Sequence, residues 1–345
     1  MKLTANTKVA ILLTEGIKGV HGKTGLAFLR YSQNNVVVII DPDSAGGSLA
    51  QLTGIERNVT IVKNVQAALA YKPDTLLIGI APSGGQLPAD LQAEIAIAVA
   101  AGVSIINGLH TQLKPQFPNL KPQQWIWDLR QEPSDLTIAQ GKARSLQAQR
   151  ILTVGTDMSI GKMSTSLELY YASLAQGIKA QFIATGQAGI AIAGGGIALD
   201  AIRVDFAAGA VEQAVLEAAP DQELIFIEGQ GSLLHPGSTA TLPLIRGSQP
   251  TALVLVHRAG ATHIRDFPQV AIPALPEVIK LYETVASAGG AFGQIKVKAI
   301  ALNTWGIDQA QAKERIKSTT ELTGLPCSDV VRFGATELLS AIYGK

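Results

Sequence analysis

Short apolar runs and longer amphipathic stretches alternate along most of this chain. Val9–Leu13, Val36–Ile40, Thr75–Ile80 and Val103–Ile106 are runs of the kind that form strands buried on both faces of a parallel sheet. Between them, Gly25–Tyr31 and Leu87–Ala101 carry helical spacing, the second beginning beside Pro88. A second series of apolar runs comprises Ile151–Val154, Ala180–Ile183, Leu224–Ile227, Ala252–Val256 and Val297–Leu302. Its helices are predicted over Met163–Ala175, Phe206–Glu217, Pro276–Ala288 and Asp308–Thr323, the last stopped by Gly324. Strand–helix alternation of this kind gives parallel sheets with crossover helices.

The pattern breaks between the two series. Leu113–Pro133 holds four prolines together with Trp125 and Trp127 and reads as a connector packed by its tryptophans. The expected organisation is a Rossmann-like domain over 1–112, a connector over 113–135 and a doubly wound P-loop NTPase-like domain over 136–345, entered through a short helix from Leu136. A length of 345 residues suits two cores. With 47% hydrophobic residues, 16% charged residues and 34 glycines, the chain reads as a compact α/β enzyme. The net charge of +1 provides no field for nucleic acid or an acidic membrane. The N-terminal residues lack a signal peptide's apolar core, and no apolar run reaches membrane-spanning length, so the expected compartment is the cytoplasm. The single cysteine, Cys327, excludes an intrachain disulfide and reads as a small buried residue.

The chemistry concentrates after Ile151–Val154. Gly155-Thr-Asp-Met-Ser-Ile-Gly-Lys162 joins a strand to a helix, as a phosphate-binding loop must. Glycines let backbone N–H groups converge on phosphate oxygens, the helix N-terminus adds partial positive charge, and an exposed Lys162 adds a full one. Gly155, Thr156, Ser159, Gly161, Lys162, Met163 and Ser164 are therefore the expected phosphate contacts. Five residues separate Gly155 from Gly161 where the common loop has four. Met163 stands where a magnesium-binding Ser or Thr is usual, leaving that role to Ser164 or Thr165. Glu223–Ser232 is an apolar strand that ends in Glu228 and glycines, where a phosphate-binding fold places an acidic magnesium partner.

These segments carry two resemblances. The Gly155–Lys162 loop, with its Gly-Thr-Asp start and five-residue gap, resembles that of dethiobiotin synthetase, as does Ile227-Glu-Gly-Gln-Gly231. A fuller likeness extends through most of the chain. Ala184–Gly189, Asp200–Phe206, Ile227–Gly231 and Val331–Gly334 are similar to a bacterial two-domain P-loop family of formerly unknown function. Some of its members are described as D-glutamate N-acetyltransferases.

Other candidates lie at the predicted carboxyl ends of strands, where open α/β sheets bind ligands. The glycine-rich stretch from Ala184 to Gly196, with Gln187 as a substrate contact, should border the phosphate site. Asp205 could join Glu228 around magnesium, or instead cap the helix near Phe206. His257–Arg265 offers Arg258 and Arg265 to a substrate carboxylate and His263 to proton transfer. His235 is a further acid or base, and Asn303 occupies a position that reads a nucleobase in many P-loop folds. In the first domain, Gly22-Lys-Thr-Gly25, Asp41-Pro-Asp43 and Ser83-Gly-Gly-Gln86 fall at ligand-binding edges, short of a dinucleotide fingerprint.

Two functions fit. The resemblance implies an acyl-CoA-dependent N-acetyltransferase acting on an acidic amino acid, with the loop gripping the diphosphate of acetyl-CoA. Asp157, His235 or His263 would then be the general base. The alternative is an ATP-dependent ligase or kinase in which Glu228 and Asp157 hold magnesium. The expected partner is a small-molecule substrate, with self-association into a homo-oligomer left open.

Overall fold

The computed structural model describes residues 3–4, 6–19, 21–81, 87–288 and 293–344. Two compact units emerge: Met1–Glu132 with Gln187–Ala201, and Pro133–Gly186 with Ile202–Lys345.

The first unit is built on β1 (Lys8–Leu12), β2 (Asn35–Ile40), β3 (Thr60–Val62), β4 (Thr75–Ile78), β5 (Ser104–Asn107) and β6 (Ile126–Asp128). All neighbours pair in parallel, in the order β3-β2-β1-β4-β5-β6. This is the doubly wound Rossmann order, whose direction reverses between β1 and β4. Val9 to Leu12 are at most 1% exposed, as central strands covered on both faces require. The helix Ala89–Ala101 buries Leu91, Ile95, Ala98 and Val99, one stripe at helical spacing, and ends on Gly102 at φ 94°.

The stretch read as a connector contributes β6. Asp128, buried at the end of that strand, accepts hydrogen bonds from Leu113 N (3.0 Å), Lys114 N (3.0 Å) and Asn107 Nδ2 (2.7 Å). One carboxylate thus folds the proline-rich segment back onto β5. The segment 187–201 departs further from the sequence reading: it lies within the P-loop part of the sequence yet belongs to the first unit. There the helix Gln187–Ala193 packs beside the helix Lys23–Tyr31. Ser83–Gln86 lies outside the described residues.

The second unit contains β7 (Gln149–Gly155), β8 (Ala180–Ile183), β9 (Leu224–Ile227), β10 (Ala252–Arg258), β13 (Val297–Asn303) and β14 (Cys327–Ser328). They form a parallel sheet in the order β14-β13-β10-β7-β9-β8. β11 (His263–Ile264) and β12 (Phe267–Ala271) make a separate antiparallel hairpin. The helix Gln309–Thr323 starts in a capping box between Asp308 and Gln311 and stops at Gly324, φ 68°. The short helix expected from Leu136 is a single turn of 3-10 helix, and it begins later, at Lys142–Ser145. Gly141 at φ 73° and the Glu212 carboxylate, which binds Gln140 N and Lys142 N, hold it in that form. No described helix is long and apolar enough to cross a membrane.

Candidate functional site

The carboxyl ends of β7, β8, β9, β10 and β13 face one edge of the second sheet, and β7 lies where the chain path reverses. After Gly155 the chain turns through 156–161 into the helix Lys162–Ala175. Ser159 takes φ 54° and Gly161 φ 115°. The latter value admits glycine far more readily than any other residue. No side chain caps the helix, whose N-terminus carries the partial positive charge that favours an anion.

Lys162 is 5% exposed rather than the open loop lysine expected from sequence. Its side chain folds back over its own loop, and Nζ donates to the Asp157 carbonyl at 2.6 Å. Two glycines make room for the stem. A Cβ added at Gly155 would lie 3.3 Å from Lys162 Cδ, and one at Gly229 would lie 3.0 Å from it and 1.7 Å from the Thr153 carbonyl oxygen. The residue following Glu228 is thereby pressed against the lysine.

Asp157 shapes the loop: its Oδ1 accepts from Met158 N at 2.6 Å and its Oδ2 from Arg265 N at 2.8 Å. With both oxygens engaged and the residue 5% exposed, it is a poor general base. Met163 and Ser164 are half-buried. The Thr165 hydroxyl turns back to the Gly161 carbonyl at 3.0 Å, so it is engaged within its own helix turn.

Glu228, 3% exposed, joins the loops after β8 and β9. Its Oε2 accepts from Thr185 N (2.9 Å) and Gly186 N (3.3 Å), its Oε1 from Gln230 Nε2 (3.2 Å). Asp205 is exposed in the first turn of the helix Val204–Ala218, where the macrodipole favours a carboxylate. Among the described residues no group of three or more His, Cys, Asp and Glu side chains is gathered to hold a metal.

Asn303, at the end of β13, donates from Nδ2 to the Ile160 carbonyl at 2.9 Å, so it braces the phosphate loop. Its Oδ1 accepts from Trp305 N at 2.9 Å. Trp305 itself is 76% exposed. Asp329 Oδ2 binds both Thr304 N and its hydroxyl, and Arg332 Nη2 donates to the Thr304 and Ile307 carbonyls. An open indole therefore stands on a firmly held loop beside the phosphate turn. An aromatic two residues beyond a strand-terminal asparagine was its only signal in the sequence.

The histidines differ sharply. His257 is buried with Nδ1 2.9 Å from the Thr156 hydroxyl, and burial lowers its pKa to about 4. His235 Nδ1 accepts from Gly237 N at 3.0 Å while its ring meets Phe267 edge-on, so in the neutral ring Nε2 carries the proton and can only donate. That removes His235 as a base in its neutral form. His263 is exposed on the β11–β12 hairpin, its Nδ1 3.0 Å from the Thr262 hydroxyl, which leaves Nε2 facing outward. Arg258 is exposed at the end of β10, and Arg265 is exposed with Nε 3.6 Å from Asp266 Oδ2. Tyr282, which sequence reasoning missed, is fully buried. Its hydroxyl donates to the Gly155 carbonyl at 2.7 Å and accepts from Leu233 N at 3.0 Å, linking two loops of the edge. Burial raises the Cys327 thiol to about 12, with Glu337 and Asp329 adding to the shift, so it stays protonated and is no nucleophile.

Gln187 lies in the first unit, against the end of β5. A Cβ at Gly108 would sit 3.1 Å from its Cγ.

Residues 137–339 match the P-loop domain of a domain of unknown function, DUF1611_C, and residues 42–132 match its N-terminal Rossmann-like partner, DUF1611_N. A protein of Tritonibacter scottomollicae named D-glutamate N-acetyltransferase is 34% identical over 87% of this chain and 90% of its own length. One of the same name from a Pseudoalteromonas species is 37% identical over 77% of this chain and 80% of its own. The crystal structure of a DUF1611 family protein from Anabaena variabilis ATCC 29413 is 60% identical, with a TM-score of 0.96 covering 99% of this chain and 100% of that one. A Rossmann-like unit followed by a P-loop unit, matched along nearly its whole length, places this chain in the DUF1611 family.

Proposed function

We propose that the chain transfers an acetyl group from acetyl-CoA to the amine of an acidic amino acid of the D-glutamate type, with Gly155–Lys162 gripping the coenzyme's diphosphate. The observation that carries this reading is the make-up of the loop. It offers uncapped N–H groups and a buried lysine to phosphate oxygens, and Met163 where a phosphoryl-transfer loop places its magnesium hydroxyl. A diphosphate that is held and not cleaved needs no such ligand. The name carried by the two relatives supports the same chemistry.

In the reaction the amine nitrogen attacks the thioester carbonyl carbon, and a tetrahedral oxyanion forms. The C–S bond then breaks, the amine loses a proton to a base, and the thiolate leaves with the coenzyme. His263, with Nε2 outward, fits the base. His235, holding its proton on Nε2, fits a donor to the oxyanion. Arg258 and Arg265 present guanidinium forks suited to the amino acid's carboxylates, and the exposed face of Trp305 suits stacking of the adenine. Mixing the protein with acetyl-CoA and D-glutamate in the absence of ATP should release free thiol in step with N-acetylglutamate. Arg258→Ala or Arg265→Ala should raise KM for the amino acid far more than for acetyl-CoA.

The second reading, an ATP- and magnesium-dependent ligase or kinase, draws on Glu228, buried beside Gly229 and Lys162. ADP release that tracks turnover, with no thiol released, would select it.

A further inference from the structure

The first unit carries a glycine turn that parallels the one after β7. Gly16 and Gly22 are separated by five residues, the interval found between Gly155 and Gly161, and a lysine follows each second glycine. Thr24 supplies, after Lys23, the hydroxyl that Met163 withholds in the other loop. The turn follows β1, at the point where the strand order reverses, and opens the helix Lys23–Tyr31, which has no side-chain cap. Its glycines are required by space. A Cβ at Gly22 would lie 2.1 Å from the Gly16 carbonyl oxygen, and one at Gly25 would lie 2.5 Å from Leu13 Cδ1 and 3.1 Å from Gly79 Cα. A tight turn followed by a close helix–sheet approach is what the first and third glycines of a dinucleotide fingerprint provide.

An independent observation comes from unpaired polar atoms. Among the described residues, four buried side-chain atoms have no hydrogen-bond partner, and three of them, Thr24 Oγ1, Asp41 Oδ2 and Ser44 Oγ, surround this edge. Asp41 ends β2, is 1% exposed, and faces the turn: its Oδ1 accepts from Glu15 N at 3.2 Å. Lys18 Nζ binds the Asp43 carbonyl at 3.1 Å, drawing the same two loops together. A native structure seldom leaves a buried carboxylate oxygen unpaired. An acid about 20 residues beyond the glycine turn is where Rossmann units bind ribose hydroxyls.

We infer that the first unit binds a nucleotide with a diphosphate and an unmodified ribose. The turn at Gly22–Thr24 and the Thr24 hydroxyl take the diphosphate, while the Gly25 N–H stays on the Gly79 carbonyl at 2.8 Å, and Asp41 Oδ2 accepts from the ribose 2′- and 3′-hydroxyls. A phosphate on either hydroxyl would meet the carboxylate charge, so this site rejects coenzyme A and 2′-phosphorylated dinucleotides. It is thereby separable from the loop after β7, and it does not rest on the acetyltransferase reading.

The test is calorimetric titration of the full chain with ADP-ribose, NAD and NADP, using wild type, Asp41→Asn, Thr24→Val and Lys162→Met. Asp41→Asn keeps the acceptor for Glu15 N, and circular dichroism reports whether each variant folds. ADP-ribose and NAD should bind wild type and Lys162→Met alike, and Asp41→Asn roughly tenfold or more weakly, the loss expected for a hydrogen bond to a charged group. NADP should bind at least about tenfold more weakly than NAD, a comparison that needs no substitution. The inference is overturned if ADP-ribose fails to bind at millimolar concentration, which would leave water alone to serve the orphan atoms. It is also overturned if NADP matches NAD, or if Lys162→Met abolishes binding while Asp41→Asn leaves it unchanged.

Discussion

At the carboxyl edge of the second sheet, Thr156, Asp157, Lys162 and Glu228 are buried and all hydrogen-bonded within the protein. At the same edge of the first sheet, Thr24, Asp41 and Ser44 are equally buried and each leaves an atom unpaired. The two edges share glycine spacing, a following lysine and a helix N-terminus, so the difference lies in how far the protein itself completes the site. The loop after β7 is set by its own contacts. It is braced by Asn303, Arg265 N and Tyr282, and its lysine rests on the Asp157 carbonyl. The turn after β1 keeps one carboxylate oxygen and two hydroxyls that no protein group pairs. A preset loop loses little entropy on binding.

Substitutions that disturb the preset edge sharpen the contrast, beginning with Gly229→Ala. The new methyl would meet the Thr153 carbonyl at 1.7 Å and crowd the Lys162 stem, and backbone cannot yield as a side-chain tip would. A stability loss of about 3 kcal/mol or more is expected from urea unfolding, at the severe end for overpacking. A loss below about 1 kcal/mol would mean that the turn after β9 is not packed tightly against Thr153 and the lysine.

Next in size is a pH effect from His257. Its folded pKa of about 4 lies below the 6.5 of an unperturbed imidazole, because burial disfavours the charged ring. Between those values the unfolded chain binds more protons, so stability is fully present above about pH 6.5 and declines as pH falls toward 4. The decline attributable to this residue is on the order of 3 kcal/mol, read as the difference in urea midpoint slopes between wild type and His257→Gln. Parallel pH profiles for the two proteins would contradict the buried, neutral placement.

Asn303→Ala should cost about 1–2 kcal/mol, since it leaves the Ile160 carbonyl and Trp305 N without their partner. It should also weaken phosphate-ligand affinity by loosening the loop, whereas an unaltered affinity would deny Asn303 its bracing role. Trp305→Ala should change stability by less than about 0.5 kcal/mol, as expected for an exposed side chain. The same variant should lose the quenching of intrinsic fluorescence that a stacked adenine produces, and quenching retained would exclude Trp305 as the stacking surface.

Buried parallel strands were legible because both faces are apolar. Ile151–Val154, Leu224–Ile227 and Val297–Leu302 announce themselves as unbroken apolar runs. In the two parallel sheets, the strands that escaped notice, β3, β6 and β14, span two or three residues at sheet edges, too short for periodicity to register. The hairpin strands β11 and β12 were missed because their largely exposed residues form no unbroken apolar run. The phosphate loop was legible for a different reason, because its glycines and lysine follow from phosphate geometry. Its supports were not. Tyr282 reads as one more apolar position on the helix Leu275–Ser287, and only its distance to the Gly155 carbonyl shows its part. Neither could sequence show that 187–201 leaves the P-loop unit for the first core, because chain order carries no record of which core a short glycine-flanked helix joins. The candidate bases were narrowed in the same way, by the backbone N–H groups that occupy Asp157 and His235 Nδ1.

The claim that the β7 loop grips a diphosphate without cleaving it is tested most directly by calorimetric titration of acetyl-CoA and of ATP with magnesium into wild type and Lys162→Met. Methionine keeps an apolar stem between Gly155 and Gly229 and removes the charge together with the hydrogen bond to the Asp157 carbonyl. Acetyl-CoA should bind wild type without magnesium and lose about 1.5–3 kcal/mol of affinity in the variant, the contribution of a charge-assisted contact. Tight, magnesium-dependent ATP binding with acetyl-CoA affinity unchanged by Lys162→Met would contradict the account.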